Sequence, residues 1–428
     1  MKKAILALLF IGVALAGCPN TNPNNGDPTT PDPNNGNPII PVEFSKMDDS
    51  GYTVQSVGTL AQGTNDFAFE MYNEINEEGK NVFISPWSLS SALGMTQEGA
   101  RGNTLLEMQQ VLNLPANDSE RQSAFAHLFN SINSPNDAYQ MSTANAIWAD
   151  DSLQMLEGFV NTVKTYYGAE ARELDFAQSA QATNTINTWV EDKTNDKIKD
   201  LIPPNTLSSD TRLVLTNAVY FKGTWQIQFD PKDTREEEFR TPDGTVMTDM
   251  MRITKNDDGF DYAEDELAQV LELPYKGDKL SMLILLPTED SLSNLEESLN
   301  AQKINSYRNS LQKTELPIYI PKFKFEEKYF LKENLPNIGM IDAFSPNADF
   351  FGISDERLLI SEVIHQSFVE VNEEGTEAAA ATAVIMEKTS SIGDPTIFKA
   401  DHPFIFAIID KDSGMILFLG KVADPTKT

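Results

Sequence analysis

Several kinds of chemistry lack the residues that they need in this chain of 428 residues. The single cysteine, Cys18, has no partner for an intrachain disulfide, and a cysteine-rich metal site is excluded. Only three histidines occur, and none begins a His-Glu-x-x-His motif, so a histidine-based zinc hydrolase is excluded. No Gly-x-Ser-x-Gly elbow, phosphate-binding Gly-x-x-x-x-Gly-Lys loop or dinucleotide fingerprint is present. The sequence therefore predicts neither an enzyme nor a bound cofactor or metal.

Positive charge is also scarce. The chain carries 33 Lys and Arg against 64 Asp and Glu, which gives a net charge of −31. Such a surface repels phosphate backbones, so we expect no nucleic-acid partner. Because acidic residues are so numerous, carboxylate pairs arise by chance, and we interpret them as solvated surface.

The N-terminal segment has the pattern of an export signal. Met1-Lys2-Lys3 is basic, and Ala4 to Ala16 are thirteen apolar or small residues, too few to span a bilayer as a stable helix. Leu15-Ala16-Gly17-Cys18 resembles the bacterial lipobox. The resemblance implies that residues 1–17 are a lipoprotein signal peptide and that Cys18 is lipidated. An ordinary secretory peptide with a stray cysteine is the alternative.

Residues 18–43 are predicted to be a tether. They are rich in Pro, Asn and Gly, and Pro23-Asn24-Asn25-Gly26 recurs as Pro33-Asn34-Asn35-Gly36. A segment with no apolar face to bury reads as a disordered spacer. It would hold a folded domain, residues 44–428, away from a membrane bound through Cys18. The expected location is the bacterial cell envelope, at the outer membrane or cell surface, because Pro19 replaces the Asp of the inner-membrane retention signal.

Hydrophobic periodicity predicts an α+β fold. The front half is helix-rich, and the back half reads as strands without βαβ alternation, which favours a mainly antiparallel sheet. The predicted helices are Leu60 to Ile75, a helix after Ser85-Pro86, Thr104 to Leu112, Arg121 to Ile132 and Thr183 to Lys193. The predicted strands are Arg212 to Phe221, Val270 to Leu273, Leu280 to Leu286, Pro317 to Ile320, Phe368 to Asn372, Pro403 to Ile409 and Met415 to Gly420.

One segment, from Glu373 to Ser390, fits two structures. Its alanines favour a helix that Thr376 could cap. Read in steps of two, however, Thr376, Ala378, Ala380, Thr382, Val384 and Met386 form an uncharged face, as a half-buried strand requires. Gly375, just before, can act as a pivot because glycine tolerates backbone angles that other residues do not.

Four motifs in this chain together resemble those of the serpin family. They are the hinge-like run from Glu373 to Ala381, the C-terminal signature from Asp401 to Phe406, and the signature regions Asn81 to Ser88 and Asn217 to Trp225. They occur in family order and cover the folded domain. The resemblance implies a serpin fold, with a helix-rich N-terminal part, one large sheet, smaller sheets and an exposed reactive-centre loop at about residues 373–400.

The resemblance implies a suicide-substrate inhibitor of serine proteases, with cysteine proteases as a further target class. A protease would attack the loop, and the freed strand would insert into the large sheet and trap the acyl-enzyme. Small uncharged residues at the hinge, such as Ala378, Ala379, Ala380 and Ala381, suit insertion, because a buried charge would oppose it. The chain is expected to act as a monomer. The alternative is a non-inhibitory binding or scaffold lipoprotein on the same fold.

The resemblance also implies roles for single residues. Thr389–Ser390 is the first choice of cleaved bond, since Thr389 lies fourteen residues after Gly375, and Lys388–Thr389 is the second. Thr389 would suit elastase-like or subtilisin-like proteases, and Lys388 would suit trypsin-like ones. The polar cluster under the sheet, the shutter, would consist of Ser85, Ser88, Asn217 and His365. At the breach, where insertion starts, would lie Trp225 and a salt bridge between Glu373 and Lys332.

Overall fold

A computed structural model describes residues 45–288, 292–376 and 396–427 of the chain. The predicted signal peptide and tether, with Cys18, lie outside the described residues. The predicted hinge residues Ala378 to Ala381 and the candidate cleavage residues Lys388, Thr389 and Ser390 also lie outside them.

The helices concentrate in the first half of the described chain. Thr53 caps the first helix through a capping box with Ser56, so that this helix begins earlier than the apolar spacing alone predicts. Ser85 caps the second helix, and Pro86 occupies its first turn. The helices are α1 Val54–Ile75, α2 Pro86–Gln97, α3 Gly102–Leu112, α4 Asp118–Asn133, α5 Glu157–Tyr166, α6 Ser179–Lys193, α7 Leu292–Ser298, α8 Ala301–Ser310 and α9 Asn334–Asn337.

The strands form three sheets, which confirms the α+β class. The strands are β1 Val82–Ile84, β2 Tyr139–Asp150, β3 Glu170–Leu174, β4 Leu213–Thr224, β5 Arg235–Thr241, β6 Gly244–Ile253, β7 Phe260–Glu264, β8 Ala268–Pro274, β9 Leu280–Pro287, β10 Gln312–Thr314, β11 Ile318–Pro321, β12 Phe323–Phe330, β13 Glu362–Asn372, β14 Gly375–Thr376, β15 Phe398–Lys399, β16 Phe404–Asp410 and β17 Ile416–Val422. The sheets have six strands (β12-β13-β14-β4-β2-β3), seven strands (β1-β17-β16-β9-β8-β7-β10) and four strands (β15-β11-β6-β5).

Pairing is mainly antiparallel, with three parallel exceptions. In the six-stranded sheet β13 runs parallel to β4, and β2 runs parallel to β3. In the four-stranded sheet β11 runs parallel to β15. The exception at β13 and β4 lies in the middle of the six-stranded sheet.

The strand β2 lies in the half of the chain where periodicity indicates helices. Its residues lack a clean polar alternation because both of its faces are buried. Ile147 packs into the main core, whereas Ala146 and Trp148 join a second cluster under α6 with Ile186 and Val190. A strand buried on both faces gives no period-two signal, which explains why the sequence pattern misses it.

Candidate functional site

The central pair of the six-stranded sheet is open at one end. Seven residue pairs join β13 to β4 in parallel, from Glu362–Val214 to Phe368–Tyr220. Beyond Phe368 the ladder stops, and the short strand β14 lies between the two strands. It pairs antiparallel with both, Thr376 lying opposite Val371 on one side and Gly223 on the other. The segment after β13 thus re-enters the sheet that it has just left.

Glycine is required where this segment turns back. Gly375 has a φ of +155°, a value that side chains rarely adopt. A Cβ atom at Gly375 would lie 1.9 Å from the carbonyl oxygen of Gly223. The close approach of the two backbones therefore depends on the absence of a side chain at Gly375.

Trp225 holds the turn between β13 and β14. Its indole Nε1 donates to the carbonyl oxygen of Asn372 at 3.0 Å, and its backbone N–H donates to the carbonyl of Glu374 at 2.8 Å. The indole ring stacks on the ring of Tyr275, with centroids 4.6 Å apart and planes at 12°. The Tyr275 hydroxyl is hydrogen-bonded to Thr376 Oγ1 at 2.7 Å, and both residues are buried. Sequence reasoning missed Tyr275, which carries no motif of its own.

The salt bridge predicted at this end of the sheet has a different cation. Glu373 pairs with Lys322 at 3.1 Å and also accepts a hydrogen bond from Thr234 Oγ1 at 2.8 Å. Burial opposes ionisation of Glu373, but the hydrogen bonds from its own backbone N–H, Thr234 and Lys322 outweigh it, so the pKa of Glu373 is lowered.

The assignment of Lys332 as the partner of Glu373 is therefore wrong. Lys322 precedes β12 and lies beside the end of β13, since Phe323 pairs with Val371. Lys332 follows the opposite end of β12, where its backbone N–H donates to Glu362 Oε1. The pattern did not predict β12, so nothing in the sequence decided which lysine reached Glu373.

The four predicted shutter residues lie in one buried cluster under the β13–β4 pair. Ser85 Oγ donates to the carbonyl oxygen of Leu417 at 2.7 Å and accepts from the Ser88 backbone N–H at 3.2 Å. Asn217 Nδ2 donates to Ser88 Oγ at 2.5 Å. The N-terminus of α2 is thus tied to both the six-stranded and the seven-stranded sheet.

His365 links the two central strands. The backbone N–H of Ser85 donates to its Nε2 at 3.1 Å, so Nε2 carries the lone pair and Nδ1 carries the proton. Nδ1–H then donates to Asn217 Oδ1, across the parallel ladder. Burial lowers the pKa of His365 to about 3, so the ring is neutral at physiological pH. Its role is structural hydrogen bonding.

Two residues that sequence reasoning missed extend this cluster into a row across the sheet. Asn145 of β2 lies opposite Asn217, and its Oδ1 accepts a hydrogen bond from Ser88 Oγ at 3.2 Å. On the other side, Tyr329 of β12 lies opposite His365. An asparagine within the alanine-rich run of β2 was the available signal, because a buried amide requires partners.

Within residues 45–288, 292–376 and 396–427, no group of three or more His, Cys, Asp or Glu side chains could hold a metal ion. Nor does any helix in that part of the chain have the length and apolarity needed to cross a membrane.

Comparisons with known proteins agree on one family. Residues 62–425 match the family model described as Serpin (serine protease inhibitor). An uncharacterized serpin-like protein of Thermococcus kodakarensis is 41% identical, with 99% of each chain covered. Human Serpin B4 is 37% identical over 86% of this chain and 100% of its own.

A solved structure of human thyroxine-binding globulin with its thyroxine superimposes with a TM-score of 0.79. It is 31% identical and covers 87% of this chain and 100% of its own. The motif order, the sheet with its re-entering hinge and the family match all lead to one assignment: this chain belongs to the serpin family.

Proposed function

We propose that this protein inhibits serine proteases as a suicide substrate, and that cysteine proteases are a further target class. Serpins are generally protease inhibitors rather than enzymes. The observation that carries the proposal for this chain is β14, which lies antiparallel between two parallel strands. An antiparallel strand that extends β14 would form new ladders with both neighbours at once.

In the proposed reaction the protease's serine hydroxyl attacks the carbonyl carbon of the residue before the cut bond. The peptide bond breaks, the amine of the next residue leaves with a proton, and an ester joins the inhibitor to the protease. The chain after Thr376 is then severed from the C-terminal part of the inhibitor and can extend β14. The attached protease moves with it, and deacylation stalls when its catalytic site is distorted.

The register of β14 supports this step. Continued downward, it would place Ala378 beside Phe221 and Val369, on the face that Thr376 turns toward Tyr275. Small side chains on this face suit insertion next to bulky core residues.

Six residues after Thr376 and on the same face, Thr382 would lie between Asn217 and His365, which now bond each other. Its hydroxyl could then bond these polar groups when the strand separates them. The parallel ladder of seven residue pairs would be replaced by two antiparallel ladders. At about 0.5–1.5 kcal/mol net per hydrogen bond, a gain of roughly ten bonds drives insertion by on the order of 10 kcal/mol.

A trapping assay tests the proposal. The full chain is incubated with elastase, subtilisin and trypsin and run on a denaturing gel. We expect an SDS-stable band at the summed masses, and cleavage without such a band in any mixture would contradict inhibition. Mass spectrometry of the released C-terminal fragment identifies the bond, for which we propose Thr389–Ser390 first and Lys388–Thr389 second. Lys388→Ala should abolish trapping of trypsin and leave trapping of elastase unchanged.

A cavity favours a second candidate function, a non-inhibitory binding protein. It has a volume of about 250 Å³, lies beside Trp225 and is lined also by Phe260, Leu273 and Glu272. The similar thyroxine-binding globulin is described as binding thyroxine. This candidate predicts that every protease tested cleaves the loop and is released active.

For the N-terminal segment we propose attachment to a bacterial envelope membrane through lipidated Cys18, at the outer membrane or cell surface. The lipobox-like Leu15-Ala16-Gly17-Cys18 supports this proposal. Cys18→Ser should move the protein from the membrane fraction to the soluble fraction. An unchanged distribution would contradict lipid anchoring.

A further inference from the structure

Tyr275 occupies a fixed position directly under the start of the hinge. It follows β8, and its side chain is fully buried. Its ring lies between the stacked indole of Trp225 and an edge-to-face contact with Phe221, whose centroid is 5.1 Å away at 76°. Its backbone N–H donates to the carbonyl of Leu280 at 2.9 Å. Rings held on two sides leave the hydroxyl little freedom to move.

That hydroxyl bonds the hinge before any cleavage. Thr376 Oγ1, at 2.7 Å, is its hydrogen-bond partner among the described residues, and Thr376 is 1% exposed. A buried hydroxyl without a partner is costly, so each of the two side chains favours the presence of the other. The bond joins Tyr275, which follows β8 of the seven-stranded sheet, to β14, the strand that insertion would lengthen in the six-stranded sheet.

Only one residue of the hinge offers Tyr275 an uncharged side-chain partner. From Glu373 to Ala381 the sole hydroxyl side chain is that of Thr376. A slip of one residue would place Gly375 or Glu377 over Tyr275. Glycine has no side chain to bond the hydroxyl, and Glu377 would bury a charge. A one-residue slip also turns every later side chain to the opposite face. A slip of two residues toward Ala378 again leaves Tyr275 without a partner.

The contacts of Trp225 cannot select the register of the inserting strand in this way. The indole and backbone N–H groups of Trp225 donate to the backbone carbonyls of Asn372 and Glu374, in the turn before β14. Backbone carbonyls are alike at every residue, whereas the Tyr275 contact requires a specific side chain.

We infer that Tyr275 is a positioning residue of loop insertion: its hydroxyl holds Thr376 docked in the intact protein and fixes the register in which the cleaved loop enters the sheet. The inference rests on the proposed inhibitory function. Docking in the intact protein can nevertheless be measured without any protease.

The first measurement is amide hydrogen exchange of the segment 372–376 in the intact full-length protein. Tyr275→Phe and Thr376→Val should each raise its exchange rate by roughly tenfold, the loss of about one buried hydrogen bond. Thr376→Ser keeps a hydroxyl and should stay near the wild-type rate. Tyr262→Phe is the matched control, because it removes a tyrosine hydroxyl bonded to Glu264 on the same seven-stranded sheet, away from the hinge.

The second measurement is the stoichiometry of inhibition, the moles of inhibitor consumed per mole of trapped protease. Tyr275→Phe should raise it several-fold while the rate of loop cleavage stays unchanged, because insertion in the wrong register lets hydrolysis finish. The double variant with Thr376→Val should be no worse than the worse single variant. A merely structural role would lower stability without changing this partition.

The outcomes separate the two hypotheses. Exchange and stoichiometry both unchanged in Tyr275→Phe, or additive effects of the two substitutions, would overturn the inference. If the wild type traps no protease but Tyr275→Phe and Thr376→Val still accelerate exchange, then Tyr275 holds the hinge and the failure lies with the inhibitory function.

Discussion

At the residue scale, the buried polar groups under the β13–β4 pair determine how easily these strands separate. His365 of β13 bonds Ser85 through one ring nitrogen and Asn217 of β4 through the other, so His365 and Asn217 would each lose a partner if the strands moved apart without a replacement. An unsatisfied buried polar group costs about 1–3 kcal/mol. The cluster therefore opposes separation of the strands unless new partners are supplied, as the proposed inserting strand would do.

The neutral state of His365 predicts a pH dependence of stability. The pKa of His365 is about 3 in the fold and about 6.5 in an unfolded chain. Between these values the unfolded chain binds a proton that the native protein does not. The contribution of neutral His365 to the free energy of unfolding is complete above pH 6.5. It is lost as the pH falls toward 3, at up to about 1.4 kcal/mol per pH unit. Urea midpoints measured from pH 7 to 4 should fall more steeply for the wild type than for His365→Gln. Parallel curves would contradict this account.

Lys322→Ala should loosen the end of the sheet where insertion starts. The substitution removes the cation that pairs with the buried carboxylate of Glu373, which keeps its hydrogen bond from Thr234. Because Lys322 is about one-third exposed, solvent screening reduces the loss to about 1 kcal/mol. We expect a lower thermal midpoint and faster spontaneous loss of inhibitory activity at 37 °C.

Lys324→Ala is the matched control for that substitution. Lys324 pairs with Glu370 at 3.0 Å, but its side chain is 56% exposed. Equal effects of the two substitutions would show that the Glu373 pair has no special role.

The sequence predicted some residues of the site and missed others. Ser85, Ser88, Asn217 and His365 were predicted as a set through the serpin resemblance, and hydrogen bonds connect them in the structure. Tyr275 and Asn145 were missed, since their partners come from segments 101 and 72 residues away. Lys332 was chosen in place of Lys322 because pairing of β12 was unknown.

At the element scale, the hinge combines a sequence that favours helix with a neighbourhood that favours a strand. Alanines have high helix propensity, yet β14 already pairs on both sides with β13 and β4. Pairing on both sides sets the strand conformation of Gly375 and Thr376, the two residues of β14. The two residues of β14 show which face of the following chain would turn inward on insertion.

Thr376→Arg should convert the inhibitor into a substrate. Arginine at this site would bury an unpaired charge beside Tyr275, which opposes insertion by several kcal/mol. Denaturing gels should show cleavage without a trapped complex.

Glu377→Arg is the control for Thr376→Arg. The register would place residue 377 on the outer face between Lys222 and Glu370, where arginine can pair with Glu370. This variant should still trap proteases. Trapping by Thr376→Arg, or loss of trapping in both variants, would contradict the facial assignment.

Thr382→Val tests the register further along the strand. The hydroxyl of Thr382 is expected to meet Asn217 and His365 only after insertion. The substitution should therefore lower the stability of the cleaved form by about 1 kcal/mol and leave the intact form unchanged. Urea unfolding of both forms measures the difference, and an effect on the intact form alone would contradict it.

The accuracy with which the sequence located an element depended on how clearly that element buries one face. α3 and α4 and the strands β8, β9 and β16 were located to within a few residues, since they carry single apolar faces or strong apolar runs bounded by turn residues. β2 was missed because both faces are buried, and β5 with β6 because polar residues dominate their exposed faces.

At the scale of the whole molecule, the proposed function requires a native state that is not the most stable one. The intact protein keeps the parallel β13–β4 ladder, whereas insertion would replace it with two antiparallel ladders. Its stability is then set by the barrier to opening the sheet rather than by equilibrium. The sequence could predict this through the serpin resemblance, which the family match confirms, but not the docked state of Thr376 or the Tyr275 contact.

The most direct test of the central claim is the thermal unfolding of intact and loop-cleaved protein, compared under the same conditions. If cleavage lets the loop complete the sheet, the cleaved form should melt higher by on the order of 10 °C, corresponding to roughly 10 kcal/mol of added stability. A cleaved form that melts at the same temperature as the intact form, or below it, would contradict insertion.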